Sequence, residues 1–491
     1  MGIRFFQESN EVYGNVADVV KDLNLTFIAR NMAHNNYGDV TYILEFLKHP
    51  LVTEEEIEER QKVVMAAYDN TPFIYELRKV IVQTWEDLQQ SLKAVQDTRG
   101  KHLMEQTVIG IQVESIRSLI IGLQNIHELL QKYKNQCQTS AFVSFYDSFY
   151  QEEPPELLEE QKDLVMHLDS FKDKGEILLC ANVGSGFTLQ DADILAVSKK
   201  ARRLSGGLFS GKWGQVISNE EVYQSGVEFA NQVILKLLER CIPFMQHWEK
   251  QLNTMMRQAM FLAGCARLYQ RGQESGMHFC MPDKKDEMAD RVYELSLALQ
   301  TLEFPIPNTV SLSKYRSILV TGANQGGKST FLRSLGIAQI MCQTGMFVPA
   351  QSYPLHAYQD IFTHFTRRED VTMNMGKFEE ELKRMEQILG GAKKNTLILL
   401  NESFATTTEV TAFQIAMDIT HACLEGGVTT WLVTHITKYA KELYREGHDD
   451  VLFLSAGRQT DGEVRFKMYE KEPGDTSYGL ELYEQMIESG K

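Results

Sequence analysis

The sequence predicts a mixed fold in which an all-helical region precedes an α/β domain. In the first half of the 491 residues, apolar side chains recur at the spacing of a helix face. From about residue 275, short apolar runs that end in Gly or Asn alternate with helical segments, as in strands joined through helices. We therefore predict a helical region over 1–274 and an α/β domain over 275–491.

The helical region contains two apolar stripes. The first, between 103 and 130, alternates spacings of four and three through Ile109, Val113, Ile116, Ile120 and Leu123. The second follows Pro243 and keeps a heptad rhythm through Met245, Trp248, Leu252, Met255, Ala259, Leu262, Ala266 and Tyr269. Such a stripe fits the core of a helical domain, and it also fits a lever arm that lies along a partner helix.

Strand-like segments interrupt and then follow the helices. The stretch "EILLCANVGSGFTL" at 176–189 predicts a small β interlude, in which Gly184 and Gly186 mark a turn. Within 275–491, four apolar runs predict strands: "SILVTGANQGG", "LILLNES", "TTWLVTH" and "DVLFLSAG".

Composition and charge limit the classes of function. The net charge of −16 argues against a surface coated with phosphate-binding residues, but it leaves room for a local basic patch. Lys199, Lys200, Arg202 and Arg203 form a compact basic cluster, which is either a solvated loop or a contact site. The sequence predicts no signal peptide, no membrane helix and no Cys-x-x-Cys metal site. We expect a cytoplasmic protein with reduced thiols and no membrane partner.

The segment "GANQGGKS" at 322–329 matches the phosphate-binding pattern G-x-x-x-x-G-K-[ST], between a predicted strand and a predicted helix. Its glycines allow a tight turn whose N–H groups face phosphate oxygens, and the helix N-terminus adds partial positive charge. Lys328 can reach the β- and γ-phosphates, and the Ser329 hydroxyl can ligate Mg²⁺. The predicted nucleotide-binding residues are Gly322, Ala323, Asn324, Gln325, Gly326, Gly327, Lys328, Ser329 and Thr330.

From this loop onward, the chain resembles the MutS-type ATPases of the ABC superclass. Their motifs follow in order: the loop, "VPA" at 348–350, the acidic strand "LILLNESF" at 397–404, "VTH" at 433–435 and "SYGL" at 477–480. The block 361–382 aligns without a gap at Ile361, Phe362, Thr363, Asp370, Phe378 and Glu381. The helical half resembles the core-and-lever region of the same family.

The resemblance implies an ATPase that uses Mg²⁺. Glu402 would polarise the attacking water, His435 would sense or position the γ-phosphate side, and Lys328 completes the implied catalytic set. Ser329 and Asn401 are the implied metal-binding residues. The resemblance further implies a homodimer and DNA as a partner. Because no segment matches the family's mismatch-reading domain, we expect a short member that does not prefer mismatched DNA.

Several positions depart from the family pattern. Asn401 replaces an aspartate, and its amide can accept a hydrogen bond from a metal-bound water but lacks the negative charge. We therefore expect weaker Mg²⁺ binding and a slow ATPase. Gly376 and Lys377 replace a serine and a threonine, so that Lys377 is either solvated or supplies positive charge to a partner's site. His364 replaces an arginine, and we assign it no role.

Two functions remain open at this point. The first is an ATP-hydrolysing, nucleotide-switched dimer that acts on DNA without reading mismatches, as the retained Glu402 favours. The second is a nucleotide-gated binding or scaffold module with little or no turnover and a non-DNA partner, as Asn401 favours.

Overall fold

The computed structural model describes residues 2–33, 37–98, 105–137, 139–157, 159–161, 176–183, 189–198, 220–301, 304–323, 325–366, 376–457 and 464–474. The chain divides into two compact units. The first comprises Met1–Phe5 and Pro72–Ala259, and the second comprises Phe6–Thr71 and Met260–Lys491.

Helices dominate the first half of the chain, and the second half alternates strands with helices. The helices are α1 (Val16–Asp22), α2 (Leu25–Met32), α3 (Tyr37–Lys48), α4 (Glu54–Asp69), α5 (Thr71–Thr98), α6 (Glu105–Tyr133), α7 (Ser140–Glu152), α8 (Glu220–Glu274), α9 (Leu295–Thr301), α10 (Lys328–Gln343), α11 (Lys377–Gly391), α12 (Glu409–Gly426) and α13 (Thr437–Glu446). The strands are β1 (Glu176–Val183), β2 (Leu189–Ser198), β3 (Met288–Val292), β4 (Asn308–Ser311), β5 (Ser317–Thr321), β6 (Asp360–Phe365), β7 (Thr396–Asn401), β8 (Thr429–Val433), β9 (Val451–Ala456) and β10 (Met468–Glu470). The predicted mixed fold, with a helical first part and a sheet in the second, is confirmed.

The first unit is helical around an aromatic core. The predicted apolar face of α6 is buried along its length, as expected from its spacing: Ile109, Val113, Ile116, Ile120 and Leu123. Phe5 stacks on Phe145 of α7 with ring centroids 3.9 Å apart. The predicted β interlude forms β1 and β2, which pair antiparallel, and its proposed turn lies in 184–188, outside the described residues.

Helix α8 carries the long heptad stripe that the sequence predicts. Seven of its eight residues are buried, while Tyr269 is partly exposed and packs against Tyr68, with ring centroids 4.4 Å apart. The helix begins before Pro243 and continues through it. The interpretation of the stripe as core is therefore confirmed, and the lever-arm interpretation stays a prediction.

A six-stranded sheet forms the centre of the second unit, with strand order β10-β9-β5-β8-β7-β6. β10 pairs antiparallel with β9, and the other neighbouring strands are parallel. β5 and β9 are buried along their whole length, which explains their unbroken apolar runs. The four predicted strands are β5, β7, β8 and β9, and β6 adds an edge that strand prediction missed. The carboxyl ends of these parallel strands meet at one edge, where α/β sheets bind ligands.

The N-terminal helices α1 to α4 belong to the second unit. The Asn15 side chain forms two hydrogen bonds with the backbone of Thr363 in the edge strand β6. Its amide nitrogen donates to Thr363 O at 2.7 Å, and its oxygen accepts from Thr363 N at 3.2 Å. Arg384 of α11 forms an ion pair with Asp18 of α1 at 3.2 Å. The compact units therefore have different bounds from the two predicted domains. The boundary predicted near 274, which coincides with the end of α8, stays a prediction.

Among the described residues, we find no helix with the length and apolar character needed to cross a membrane.

Candidate functional site

The glycine-rich loop joins the end of β5 to the start of α10, as the sequence predicts. Gly322 has φ +119° and Gly327 has φ +83°, a region that side chains with a Cβ rarely adopt. At Gly326, an added Cβ would lie 2.9 Å from Ala456 Cβ and 3.0 Å from Ala323 O. The glycines are therefore required by the conformation and by close backbone packing. Asn324 lies outside the described residues.

Lys328, the first residue of α10, folds back over this loop. Its ammonium donates hydrogen bonds to Gly322 O and Ala323 O, each at 3.0 Å, and lies 4.0 Å from Glu402 Oε1. Only 4% of the residue is exposed. Burial lowers the pKa of Lys328, and the nearby Glu402 carboxylate opposes that shift. If a phosphate group occupied the loop, the ammonium could replace its hydrogen bonds to these two carbonyls with a charge-assisted bond to a phosphate oxygen.

Ser329 and Asn401 meet at the carboxyl edge of the sheet. Ser329 Oγ donates to Asn401 Oδ1 at 2.8 Å, although the two residues are 72 positions apart in the chain. The backbone carbonyl of Asn401 accepts hydrogen bonds from the backbone amide of Thr366 at 3.2 Å and from the Thr366 hydroxyl at 3.0 Å. This arrangement places two neutral oxygen atoms side by side, and oxygen atoms are the kind that coordinate Mg²⁺ in proteins.

Glu402 adopts a left-handed backbone conformation directly after β7. Its φ is +53°, which is uncommon for a residue with a side chain and costs on the order of 1–3 kcal/mol. Two hydrogen bonds hold it there: its amide donates to Val433 O at 2.9 Å, and its carbonyl accepts from Thr366 Oγ1 at 2.7 Å. The Glu402 side chain, 35% exposed, faces the cavity beside Lys328.

His435 belongs to the strand end next to that of Glu402, because β8 pairs with β7 in the sheet. It follows the end of β8 and is exposed, while the preceding Thr434 is buried and donates its amide to Val320 O at 3.1 Å. Within the described residues, the lining of the cavity beside the loop does not include His435. Of the three predicted catalytic residues, the structure therefore brings Lys328 and Glu402 together and leaves His435 at the neighbouring strand end.

A cavity of about 620 Å³ adjoins the loop. The predicted residues that line it are Gln325, Gly326, Gly327, Lys328, Ser329, Thr330 and Glu402. Apolar residues that sequence reasoning missed also line it, and together they are called the apolar wall: Tyr293, Leu297, Phe304, Ile306 and Phe466. The apolar run "FPIP" at 304–307, shortly before the loop, is the signal that could have revealed part of this wall. The cavity thus combines polar residues of a phosphate-binding pattern with apolar residues that could pack against a flat ring.

His364 is fully buried on β6 and has hydrogen-bonding partners on both nitrogens. Nδ1 lies 2.7 Å from Ser403 Oγ, and Nε2 lies 3.3 Å from Glu381 O. Burial, followed by the nearby Arg384 guanidinium, lowers the pKa of His364 to about 4. The imidazole is therefore neutral at physiological pH and takes part in the buried packing rather than lining the cavity.

The remaining predicted features have mixed positions. Gly376 is the N-cap of α11 with open space around it, and Lys377 is the first residue of that helix. Asp370, the basic cluster 199–203 and the "SYGL" segment at 477–480 lie outside the described residues.

The residues present fit a Mg²⁺-nucleotide by their chemistry. The loop offers glycines at positions that a Cβ would block, the ammonium of Lys328, and the paired oxygens of Ser329 and Asn401. The donor set is that of a phosphate and a hard cation rather than of a transition metal.

Comparison with known proteins finds matches to the part of the chain that contains this site. Residues 318–487 match the family model for MutS domain V. The DNA mismatch repair protein MutS of Petrotoga mobilis is 31% identical over 185 residues, which are 36% of this chain and 22% of that protein. MutS of Streptococcus pneumoniae is 33% identical over 184 residues, which are 36% of this chain and 21% of that protein. The mismatch repair protein HexA of Streptococcus pneumoniae matches to the same extent.

These matches support a relationship between the C-terminal part of the chain and the MutS family. The aligned part spans about a fifth of the length of the curated relatives, so the likeness concerns this part and not the whole of those proteins.

Proposed function

We propose that this chain binds ATP with Mg²⁺ on residues 322–330 and hydrolyses it slowly. The observation that carries the proposal is the convergence of Lys328 and Glu402, 4.0 Å apart, beside the hydrogen-bonded pair Ser329 and Asn401. The family match over 318–487 supports the same chemistry. The apolar wall of the cavity would receive the base of the nucleotide.

Each residue has a definite task in this proposal. Lys328 would exchange its bonds to loop carbonyls for bonds to phosphate oxygens, and Ser329 and Asn401 would hold the metal or its water shell. When bound, Mg²⁺ supplies positive charge that offsets the charge of the phosphates. Glu402 would orient the attacking water and accept its proton. We further propose that His435, at the adjacent strand end, acts on the γ-phosphate side once nucleotide is bound.

The neutral amide of Asn401 accounts for the proposed slow rate. An aspartate at this position would add a negative charge beside the cation, whereas the amide offers only a dipole. In this proposal, Glu402 and Lys328 supply the groups needed for turnover, so the rate is low rather than zero.

We propose that nucleotide switches a homodimer that acts on DNA without preference for mismatches. The printed names of the relatives, DNA mismatch repair proteins, support DNA as the partner, while the net charge of −16 limits how much of the surface can contact phosphates. Asn401 favours a second candidate, a nucleotide-gated binding module with little turnover and a non-DNA partner.

Steady-state phosphate release separates the two candidates. We expect a measurable rate in the parent protein and a loss of about a hundredfold or more in Glu402→Gln, with ATP binding retained. Glu409→Gln, which removes an exposed carboxylate at the start of α12, is the matched control and should keep the parent rate. No phosphate release by the parent protein would rule out the ATPase and leave the binding module.

The mass of the particle with and without ATP and DNA tests the proposed dimer and its partner. A competition gel shift with matched and mismatched duplexes tests the reading of mismatches. A preference of about tenfold for mismatched duplex, roughly 1.4 kcal/mol, would contradict the proposal.

A further inference from the structure

Three side chains of types that can bind a metal ion meet at the end of α13, and none of them belongs to the glycine-rich loop. His421 lies on α12, Glu446 is the last residue of α13, and His448 follows two positions later. His421 Nε2 is 2.8 Å from Glu446 Oε2, and His448 Nε2 is 2.9 Å from the same oxygen. One candidate ligand atom from each residue lies within 4.8 Å of the others.

The local chain explains how these side chains converge. Gly447 caps α13 with φ +71°, and this left-handed turn brings His448 back towards Glu446. The His448 carbonyl then accepts from the Val451 amide at 3.3 Å, where β9 begins. The segment that carries Glu446 and His448 is thus held by α13 on one side and by β9 on the other. Both imidazoles contact the Glu446 carboxylate in this arrangement.

The donor set favours a borderline transition-metal ion. Two imidazoles and a carboxylate are ligands used by Zn²⁺, at about 2.0–2.2 Å, which puts tetrahedral ligand atoms roughly 3.3 Å apart. The nitrogens now lie 2.8 and 2.9 Å from Oε2, so an opening of about half an ångström would admit the ion. The side chains are between 30% and 39% exposed, which gives an ion a path from solvent.

The position in the helix adds to this preference. A carboxylate at the C-terminus of a helix lies near the negative end of the helix dipole, which disfavours it, whereas a cation there is stabilised. A divalent ion on Glu446 would reverse the sign of the local charge. It would also join α12 to the end of α13 through ligands from both elements.

We propose that His421, Glu446 and His448 form a binding site for a divalent transition-metal ion of the Zn²⁺ type, with water in the remaining position. The site shares no residue with the glycine-rich loop, so it stands whether or not the chain hydrolyses ATP. Mg²⁺ is a poor fit because it prefers oxygen ligands.

Calorimetric titration of the full chain with Zn²⁺, after treatment with a chelator, tests the site. We expect one equivalent to bind in the parent protein and affinity to fall at least about tenfold in His421→Gln and in His448→Gln. His356→Gln is the matched control, since this exposed histidine lies on another part of the second unit, and the variant should bind Zn²⁺ as the parent does.

Glu446→Gln provides a variant of nearly unchanged shape that retains a hydrogen-bond acceptor, in case a histidine variant disturbs folding. It should also weaken Zn²⁺ binding about tenfold, and Zn²⁺ should raise the thermal midpoint of the parent protein more than that of this variant. Equal binding by the parent protein and Glu446→Gln would overturn the proposal and leave a cluster held by hydrogen bonds alone. Displacement of Zn²⁺ by millimolar Mg²⁺ would overturn it as well.

Discussion

Ser329 Oγ donates a hydrogen bond of 2.8 Å to the side-chain oxygen of Asn401, which joins the first turn of α10 to the end of β7. This bond assigns the amide oxygen to the side that faces the hydroxyl. In the proposed Mg²⁺ complex, the two oxygens would turn together towards the cation. The residue at 401 therefore determines how much negative charge the cation meets.

Asn401→Asp should lower the Mg²⁺ concentration needed for half-maximal phosphate release and raise turnover, each by up to about tenfold. The added carboxylate would attract the ion directly, where the amide offers only a dipole. Phosphate release measured across a Mg²⁺ titration checks this. Asn10→Asp, which adds the same charge at an exposed position, should change neither quantity. An unchanged Mg²⁺ titration in Asn401→Asp would mean that this position does not set the affinity for the ion.

Gly327→Ala should weaken ATP binding about tenfold or more. Its φ of +83° strains any residue with a Cβ, and the added atom would lie 3.1 Å from the Phe466 ring. Equilibrium binding of a fluorescent ATP analogue measures the effect. Gly390→Ala is the matched control, because Gly390 lies exposed in α11 with open space around it, so binding should stay at the parent level. Parent-like binding by Gly327→Ala would count against this loop as the phosphate site.

The buried His364 should make the protein less stable as the pH falls. Its pKa is about 4 in the folded protein, against an ordinary value of about 6.5, so the unfolded chain binds more protons between these values. The stabilising effect of the neutral imidazole is complete above pH 6.5 and is lost progressively towards pH 4. We expect the free energy of unfolding to decrease by about 2 kcal/mol from this group between pH 7.5 and 5.

Urea unfolding across that pH range gives the free energy of unfolding of the parent protein and of a His364→Asn variant. The difference between the two isolates the contribution of His364 from those of buried carboxyl groups such as Asp360 and Glu381. Burial raises the pKa of both carboxyls, and their contributions therefore run in the opposite direction. His278→Asn, at an exposed histidine, should keep the pH dependence of the parent protein. Parallel pH profiles for the parent and His364→Asn would contradict the prediction.

Asn15→Ala should destabilise the second unit by about 1–3 kcal/mol, because both hydrogen bonds to Thr363 at the sheet edge would be lost. Chemical denaturation, followed by tryptophan fluorescence, to which Trp431 in β8 contributes, provides the measurement. Asn10→Ala removes an exposed amide nearby in sequence and should leave the denaturation midpoint unchanged. If Asn15→Ala behaved like that control, the two hydrogen bonds to Thr363 would not contribute to the stability of the second unit.

Much of the fold is predictable from periodicity. Several of its features depend only on residues that lie close together in the sequence. They include the stripes of α6 and α8, the apolar runs of β5, β7, β8 and β9, and the glycine pattern of the phosphate loop. The Gly322 and Gly327 requirements are local as well, since each follows from one turn of the backbone. These elements appear in the structure where the sequence predicts them.

The tertiary structure alone decided which distant groups meet. The Ser329–Asn401 bond, the apolar wall at Phe304 and Phe466, and the left-handed Glu402 depend on how strands from different parts of the chain align at one sheet edge. Periodicity states which face of an element is buried, but it does not state what lies opposite that face. For the same reason, the sequence did not show that the N-terminal helices pack against β6. It also did not show that two histidines meet at Glu446.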